Sequence, residues 1–414
     1  MTQEQKHVVF FRDRILFAII IWGFFESVFF QLIAYIITRF KVNDYISITN
    51  GLYYAVFGIL LFCLIVTHFL NNRLILRGSK DILPGICLAV VLLLFLIYSN
   101  INYHENISNN IANVYRLFLF NIPLFILCLF VDDEKPFIDF MCKACIPLNF
   151  VSLYTFFSGI NSRNNDESMT IGYMLSVCTI VVVQSYYDSR SIFKFILIII
   201  DIISLVLAGC RGALLSLLIF ILISFIRDKT EEKSQKKRVV NFVIISTFFS
   251  LIIVFYDYIM ALVANLFSSI GISGRIVTLL SNGEIGQSLG RRYLYDMIRN
   301  SWSNMPSLGY GLFGDRMFLD GYYAHSLYYE IITDFGKVFG SILLVLLICL
   351  LIISIKNIQK RSITIIVSSY SISRLLFSSS YLVDPCFWIM LGVFLNRKMS
   401  NNKSYVLVKG DNIE

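Results

Sequence analysis

Charge is scarce in this chain. Only 15% of its 414 residues are Asp, Glu, Lys or Arg, while 57% are hydrophobic. A soluble domain carries nearer a quarter charged residues, so a soluble fold is a poor match to this composition. Histidine is scarcer still, with four in the whole chain. No cluster of His, Asp and Glu has metal-ligand spacing, no Gly-rich phosphate loop precedes a Lys, and no Gly-x-Ser-x-Gly elbow is present. Cys142 and Cys145 form a Cys-x-x-Cys, but beside Lys143 on an apolar run and without a second ligand pair, so small apolar packing residues is the better reading. The net charge of +8 would suggest nucleic acid in a soluble protein. Here its distribution matters more than its sum.

What is abundant is long apolar sequence. Runs recur from residue 15 to residue 395 and predict an all-α integral membrane protein with about twelve transmembrane helices. The expected spans are 15–38, 50–70, 82–99, 114–131, 137–159, 169–187, 192–208, 210–226, 239–256, 338–355, 362–378 and 381–395. The first follows Arg12 and Arg14, is too long for a signal-peptide core and lacks a small-x-small cleavage site, so it reads as a retained span. With the N-terminus inside, the cytoplasmic segments hold 22 of the 35 Lys and Arg residues, six of them in 227–238. The opposite short loops hold four: Arg39, Lys41, Arg163 and Arg211. That bias puts both termini in the cytoplasm. It divides the chain into spans 1–9 (1–256), one large extracytoplasmic loop (257–337) with short helices, and spans 10–12 with a cytoplasmic tail (338–414).

A connection of 81 residues is seldom idle. It opens on YIMALVANLFSSIGI, apolar enough for an interfacial helix, and closes on GYYAHSLYYEIITDFGKVFG, which carries His325. Outside the membrane there is no ATP, so bond-making there needs an already activated donor, such as a lipid-linked diphosphate. Arginine suits the binding of that donor, because its planar fork grips phosphate oxygens bidentately. Histidine suits the activation of an acceptor hydroxyl, because its ordinary pKa of about 6.5 lets it take a proton near neutral pH. Arg211, in LAGCRGALLSLL, lies where one span ends and the next begins, and Arg291 and Arg292 lie in the large loop. Arg116 stands near the outer end of its span, with Glu26, Lys143, Asp201 and Arg374 deeper. Ionisable residues in spans are functional candidates by default. Mutual pairing, for instance of Asp201 with Lys143 or Arg374, would account for them; alternatively Arg116 and Arg374 would extend a cationic pocket. The first outer loop, 39–49, has Asp44 as its one acidic residue, which disfavours membrane glycosyltransferases built on paired acids in a large first loop.

Three stretches resemble a known family. GCRGALLSLL resembles the Ser-Arg-Gly-Ala span motif of bacterial O-antigen ligases and of O-antigen or capsule polymerases. GRRYLYDMIRNSWSNMPSLGYG resembles their loop signature: an Arg, an aromatic (Tyr295) four residues later, then Pro and Gly-x-Gly. AHSLYYEIITDFGKVFG resembles the His-Asn motif before their next span. The motifs cover about 60 residues of the C-terminal half, and the N-terminal half matches in hydropathy alone. Cys210 replaces the usual Ser, Ser326 replaces the usual Asn, and Arg291 fits the spacing to Tyr295 and Pro306 better than Arg292.

The resemblance implies a metal-independent, GT-C-like glycosyltransferase without cofactor. It would pass a glycan from undecaprenyl diphosphate to an acceptor hydroxyl in the bacterial inner membrane. Arg211 and Arg291 would hold the diphosphate and His325 would be the general base, with Glu330 or Asp334 orienting the imidazole. Arg292, Arg116, Arg374 and Tyr295 would complete the diphosphate and glycan contacts. Partners would be the lipid-linked donor and acceptor, membrane lipid and a chain-length regulator protein. A polymerase takes another lipid-linked repeat as acceptor and a ligase takes lipid A-core; the motifs do not separate them. The rich Ile, Phe, Asn and Lys usage suits AT-rich surface-polysaccharide clusters, which makes a polymerase the expectation and a ligase the alternative. A lipid-linked oligosaccharide flippase or transporter would equally suit twelve spans and buried charges. Against it stands the large loop with its Arg and His content.

Overall fold

A computed structural model describes residues 3–39, 44–70, 79–158, 165–208, 210–227, 258, 289–357, 361–396 and 399. All regular structure among the described residues is helical. The helices are α1 (Gln3–Phe24), α2 (Glu26–Arg39), α3 (Tyr45–Leu70), α4 (Ser79–Asn102), α5 (His104–Asn109), α6 (Ile111–Arg116), α7 (Ile122–Cys128), α8 (Glu134–Ser158), α9 (Asn165–Ser189), α10 (Ile192–Ala208) and α11 (Arg211–Arg227). After the undescribed stretch come α12 (Leu289–Ser301), α13 (Leu327–Phe335), α14 (Lys337–Lys356), α15 (Arg361–Phe377) and α16 (Pro385–Leu395). The expected span 239–256, the basic loop 228–238 and the apolar opening of the large loop, apart from Tyr258, lie outside the described residues.

Six described stretches are long and apolar enough to cross a bilayer: Tyr45–Thr67, Leu83–Asn102, Ile111–Cys128, Glu134–Ser158, Met169–Ser189 and Lys337–Lys356. The expected span 15–38 is not one rod. Arg12–Phe24 and Glu26–Arg39 meet at 81°, and counting that bent pair as one span makes seven. The expected spans at 210–226, 362–378 and 381–395 appear as shorter apolar helices, Gly212–Ser224, Ser362–Phe377 and Pro385–Leu395. Span 12 starts later than expected, because residues 381–383 form a turn and Asp384 caps α16 through the Cys386 amide at 2.9 Å.

Polarity runs inward. Of the apolar stretch in α9, 78% is buried inside the protein, against 11% of that in α14, whose Leu and Ile side chains face outward. The interior helices carry the hydroxyls: Ser176 and Thr179 on α9, and Thr364, Ser368, Ser369, Ser371 and Ser373 on α15, are all buried. Small polar residues let helices approach closely, and their hydroxyls return to nearby carbonyls. Ser369 donates to Ile365 O at 2.6 Å, and Ser371 reaches across to Cys386 O on α16 at 2.8 Å. Cys142 and Cys145 are buried free thiols against the α9 backbone, Cys145 Sγ lying 3.4 Å from Cys178 O, as expected of packing residues.

Mutual pairing of the buried charges holds for Glu26 with Arg116 but not for Asp201. Asp201 meets neither Lys143 nor Arg374; it accepts from Asn149 Nδ2 at 3.0 Å, while Lys143 lies on the exposed side of α8. Arg374 pairs with Asp384 at 3.0 Å, and Arg116 with Glu26. These two arginines are therefore countered by carboxylates rather than standing as an open cationic pocket. Glu26 lies just past the bend, and Arg116 just before a π-turn at Leu117–Asn121. Pro123 follows that turn; it has no N–H to give the preceding turn, and a wide turn absorbs the mismatch.

Candidate functional site

The three motif stretches meet at the C-terminal end of α15. Arg211 opens α11; its side chain lies outside the described residues. Its neighbour Gly212 accepts the Ser373 hydroxyl on its carbonyl. A Cβ on Gly212 would run into the Tyr173 hydroxyl and come within 3.4 Å of Phe377 Cβ, so glycine is what allows α11 to touch α9 and α15 here. From the loop, Arg291 on α12 places its guanidinium 5.7 Å from the centre of the same Phe377 ring. One residue further on, Ser378 O accepts the Tyr323 hydroxyl at 2.7 Å. The His325 ring then lies against Tyr323, centroids 4.0 Å apart and planes 44° apart.

Charge distinguishes these arginines. Arg116, Arg374 and Arg299 each have a carboxylate within salt-bridge distance, the last being Asp296 at 3.5 Å. Among the described residues no carboxylate pairs with Arg291 or Arg292. Arg292 is exposed, while Arg291 is half-buried against Phe377. Arg374 completes the floor, its guanidinium 5.5 Å and 5.9 Å from the rings of Tyr370 and Tyr173. Burial pushes the Tyr323 phenol up to about 12, with Arg374 opposing, so it stays a hydroxyl donor at neutral pH.

A rigid frame holds the loop residues. Tyr295 stacks on Tyr329 at 4.4 Å, and Trp302 Nε1 donates to Thr333 Oγ1 at 3.0 Å, tying α12 to α13. The Gly-x-Gly after Pro306 interlocks with the end of α13. Tyr310 N donates to Thr333 O at 2.9 Å and Gly311 N to Asp334 O at 3.0 Å. Gly309 (φ 73°) and Gly336 (φ 80°) press so closely that a Cβ on Gly309 would strike the Gly336 amide. The glycines of the two motifs are thus one backbone joint. The far side docks on α4, with Tyr98 OH donating to Gly309 O at 3.0 Å and Leu312 N to Ser99 Oγ at 2.8 Å.

Glu330 and Asp334 belong to this frame. Asp334 Oδ1 accepts from Gly314 N at 2.8 Å and Oδ2 from Tyr381 OH at 2.6 Å, while Glu330 Oε2 accepts from Tyr381 N at 3.1 Å. Both are fully buried beside Asp315. Burial first, then the neighbouring carboxyls, raise both acids well above the ordinary carboxylate range. His325 itself has φ 52°, a left-handed conformation uncommon for a side-chain-bearing residue and often found where function holds a backbone in strain.

No protein-family model, curated protein or solved structure matches this chain. The site is therefore read from its own residues. Tyr173, Phe377, Tyr323 and Asp315 were not singled out in the sequence. Of these, only Tyr323, two residues before His325, carried a local hint. No group of three or more His, Cys, Asp or Glu suited to a metal is present among the described residues.

Proposed function

We propose that this chain is an integral membrane glycosyltransferase of the O-antigen polymerase kind. It would transfer a glycan from undecaprenyl diphosphate to a sugar hydroxyl of another lipid-linked repeat unit, at the outer face of a bacterial inner membrane with both termini cytoplasmic. The observation that carries this reading is the meeting of the α11 start, Arg291 and His325 around the Phe377–Ser378 end of α15. Three segments far apart in sequence converge on this helix end, one bringing the Arg291 guanidinium to Phe377 and another bringing the His325 ring by way of Tyr323. Arg291, like exposed Arg292, has no carboxylate partner among the described residues, and it is the half-buried one, beside Phe377, that is available to an anionic ligand there.

The chemistry follows from these groups. His325 accepts the proton of the acceptor hydroxyl as its oxygen bonds to the anomeric carbon of the donor sugar. The bond from that carbon to the diphosphate oxygen breaks, and undecaprenyl diphosphate leaves with the electron pair. Arg291, together with Arg211 from the start of α11, counters the charge that grows on the leaving group. Arg374, neutralised by Asp384, shapes the floor, and Arg116 is spent on Glu26. Tyr295, stacked on Tyr329, and the Glu330–Asp334 pair hold the frame.

The test uses purified protein in detergent with lipid-linked repeat units. The parent protein should lengthen the glycan, which a flippase cannot do without a membrane to cross. Arg291→Ala should lose transfer by about 10²-fold or more, on the scale of removing one charge-stabilising group. Arg291→Lys should recover only part, since it keeps the charge and loses the fork. Full activity in Arg291→Ala would remove Arg291 from the site. Extension onto lipid A-core but not onto a second repeat would make the enzyme a ligase.

A further inference from the structure

Two hydrogen bonds anchor the chain just before His325, one made by Tyr323 and one by Ala324. One is the Tyr323 hydroxyl on Ser378 O at 2.7 Å. The other comes from Asp315, whose Oδ2 accepts the Ala324 N–H at 2.8 Å, one residue before His325. Asp315 is 2% exposed, and its place on a tight turn between Phe313 (φ 62°) and Asp320 (φ 51°) is itself braced. Asn106 Nδ2 donates to Phe313 O at 2.9 Å, and Arg316 donates to Asn110 Oδ1, so the start of the turn and the residue after Asp315 are tied to α5 and its C-terminal end. Burying a carboxyl in such a place is costly unless its hydrogen bond has a task. Left-handed backbone at His325 is strained and persists only where surrounding contacts over-determine it.

We propose that Asp315 is a positioning residue: by holding the Ala324 amide it fixes the left-handed backbone at His325 and thus aims the imidazole into the site. This rests on the reading of His325 as the general base, and it adds a residue that neither the spacing nor the motifs singled out. A carbonyl oxygen facing Ala324 does the same work, because what the latch needs there is an acceptor for the Ala324 N–H and not a charge. Asp315→Asn therefore keeps the latch and Asp315→Ala removes it. Tyr323→Phe weakens the same loop from its other anchor.

The experiment measures the aim of His325 directly. Purified full-length protein is labelled with diethyl pyrocarbonate, and modification of the His325 peptide is followed by mass spectrometry, with exposed His104 as internal control. Asp315→Ala should label at His325 at least fivefold faster than parent, with His104 unchanged, and Tyr323→Phe should shift in the same direction. Asp315→Asn should stay within twofold of parent. Where Asp315→Ala does not fold, Tyr323→Phe and Asp315→Asn carry the test. Parent-like His325 labelling in the variants that lose a loop anchor would overturn the proposal, as would Asp315→Asn labelling as fast as Asp315→Ala. A parallel transfer assay separates the two readings. In a His325→Gln background, Asp315→Ala should cause no further loss of transfer if Asp315 acts through the imidazole, and a further tenfold loss would contradict that. His325→Gln retaining full transfer would remove the base while leaving the labelling result intact.

Discussion

At the scale of single residues, the loop places costly groups side by side. His325 is left-handed, and three acids, Asp315 on a turn and Glu330 and Asp334 on α13, are buried near one another. Burial raises the last two well above the ordinary carboxylate range, and the neighbouring carboxyls add to it. The sign of the linkage follows: a carboxyl whose folded pKa is raised binds its proton more tightly in the fold. Its contribution is complete below the ordinary Glu value and is lost as pH rises through the raised value. Glu330→Gln keeps an oxygen for the Tyr381 amide and never ionises. It should therefore unfold at a higher temperature than parent at pH 8, with the difference fading towards pH 4. Thermal unfolding in detergent across that range checks this, and a Gln variant less stable than parent at pH 8 would contradict it. Glu330 and Asp334 stood out in the sequence as partners of His325, but their burial did not, and Asp315 was not marked at all. Burial of an acid depends on which loop folds over it, and local pattern carries no record of that.

At the scale of elements, the departures from regular helix coincide with paired charges. The α1–α2 bend is followed at once by Glu26, the π-turn is preceded by Arg116, and the two side chains join across it. The hydropathy of 15–38 and 114–131 reports length and apolarity, which both segments have, but a bend leaves those sums unchanged. Pro123 was visible beside the π-turn, whereas nothing in WGFFESVFF reads as a breaker strong enough for 81°. Pairing partners were equally hidden, because they depend on which helix faces meet. Asp201 was assigned to a cation and found Asn149. For the Glu26–Arg116 pair, breaking a fully buried ion pair costs roughly 3–5 kcal/mol. Arg116 is 24% exposed, so removing either charge alone should cost less, about 2–3 kcal/mol. Glu26→Gln and Arg116→Gln should each cost that much in denaturant unfolding, and the double variant should cost clearly less than their sum. Additive losses would mean that the two charges do not stabilise one another.

At the scale of the whole molecule, polarity is turned inward. The serine-rich α15 and α9 form the centre, and α14, the most apolar of the six long spans, lies at the outside. The helical class and the positions of most apolar segments were legible, since the bilayer demands long apolar helices whatever the packing. The candidate cluster was legible as a set of residues but not as a shape. Arg211, Arg291 and His325 stood out by type and place, while the surface that gathers their segments is made of buried Tyr173 and half-buried Phe377, Ser378 and Tyr323, residues of no distinctive type. The central claim is that this gathering serves proton transfer by His325. His325→Asn tests it most directly, because Asn tolerates the left-handed backbone and keeps hydrogen bonding while lacking basicity. In purified protein supplied with lipid-linked repeat units, the variant should fold as the parent does, with Tyr323 and Asp315 anchors intact. Its transfer rate should fall roughly 10²–10⁴-fold. A His325→Asn protein that extends the glycan within threefold of the parent rate would contradict the account.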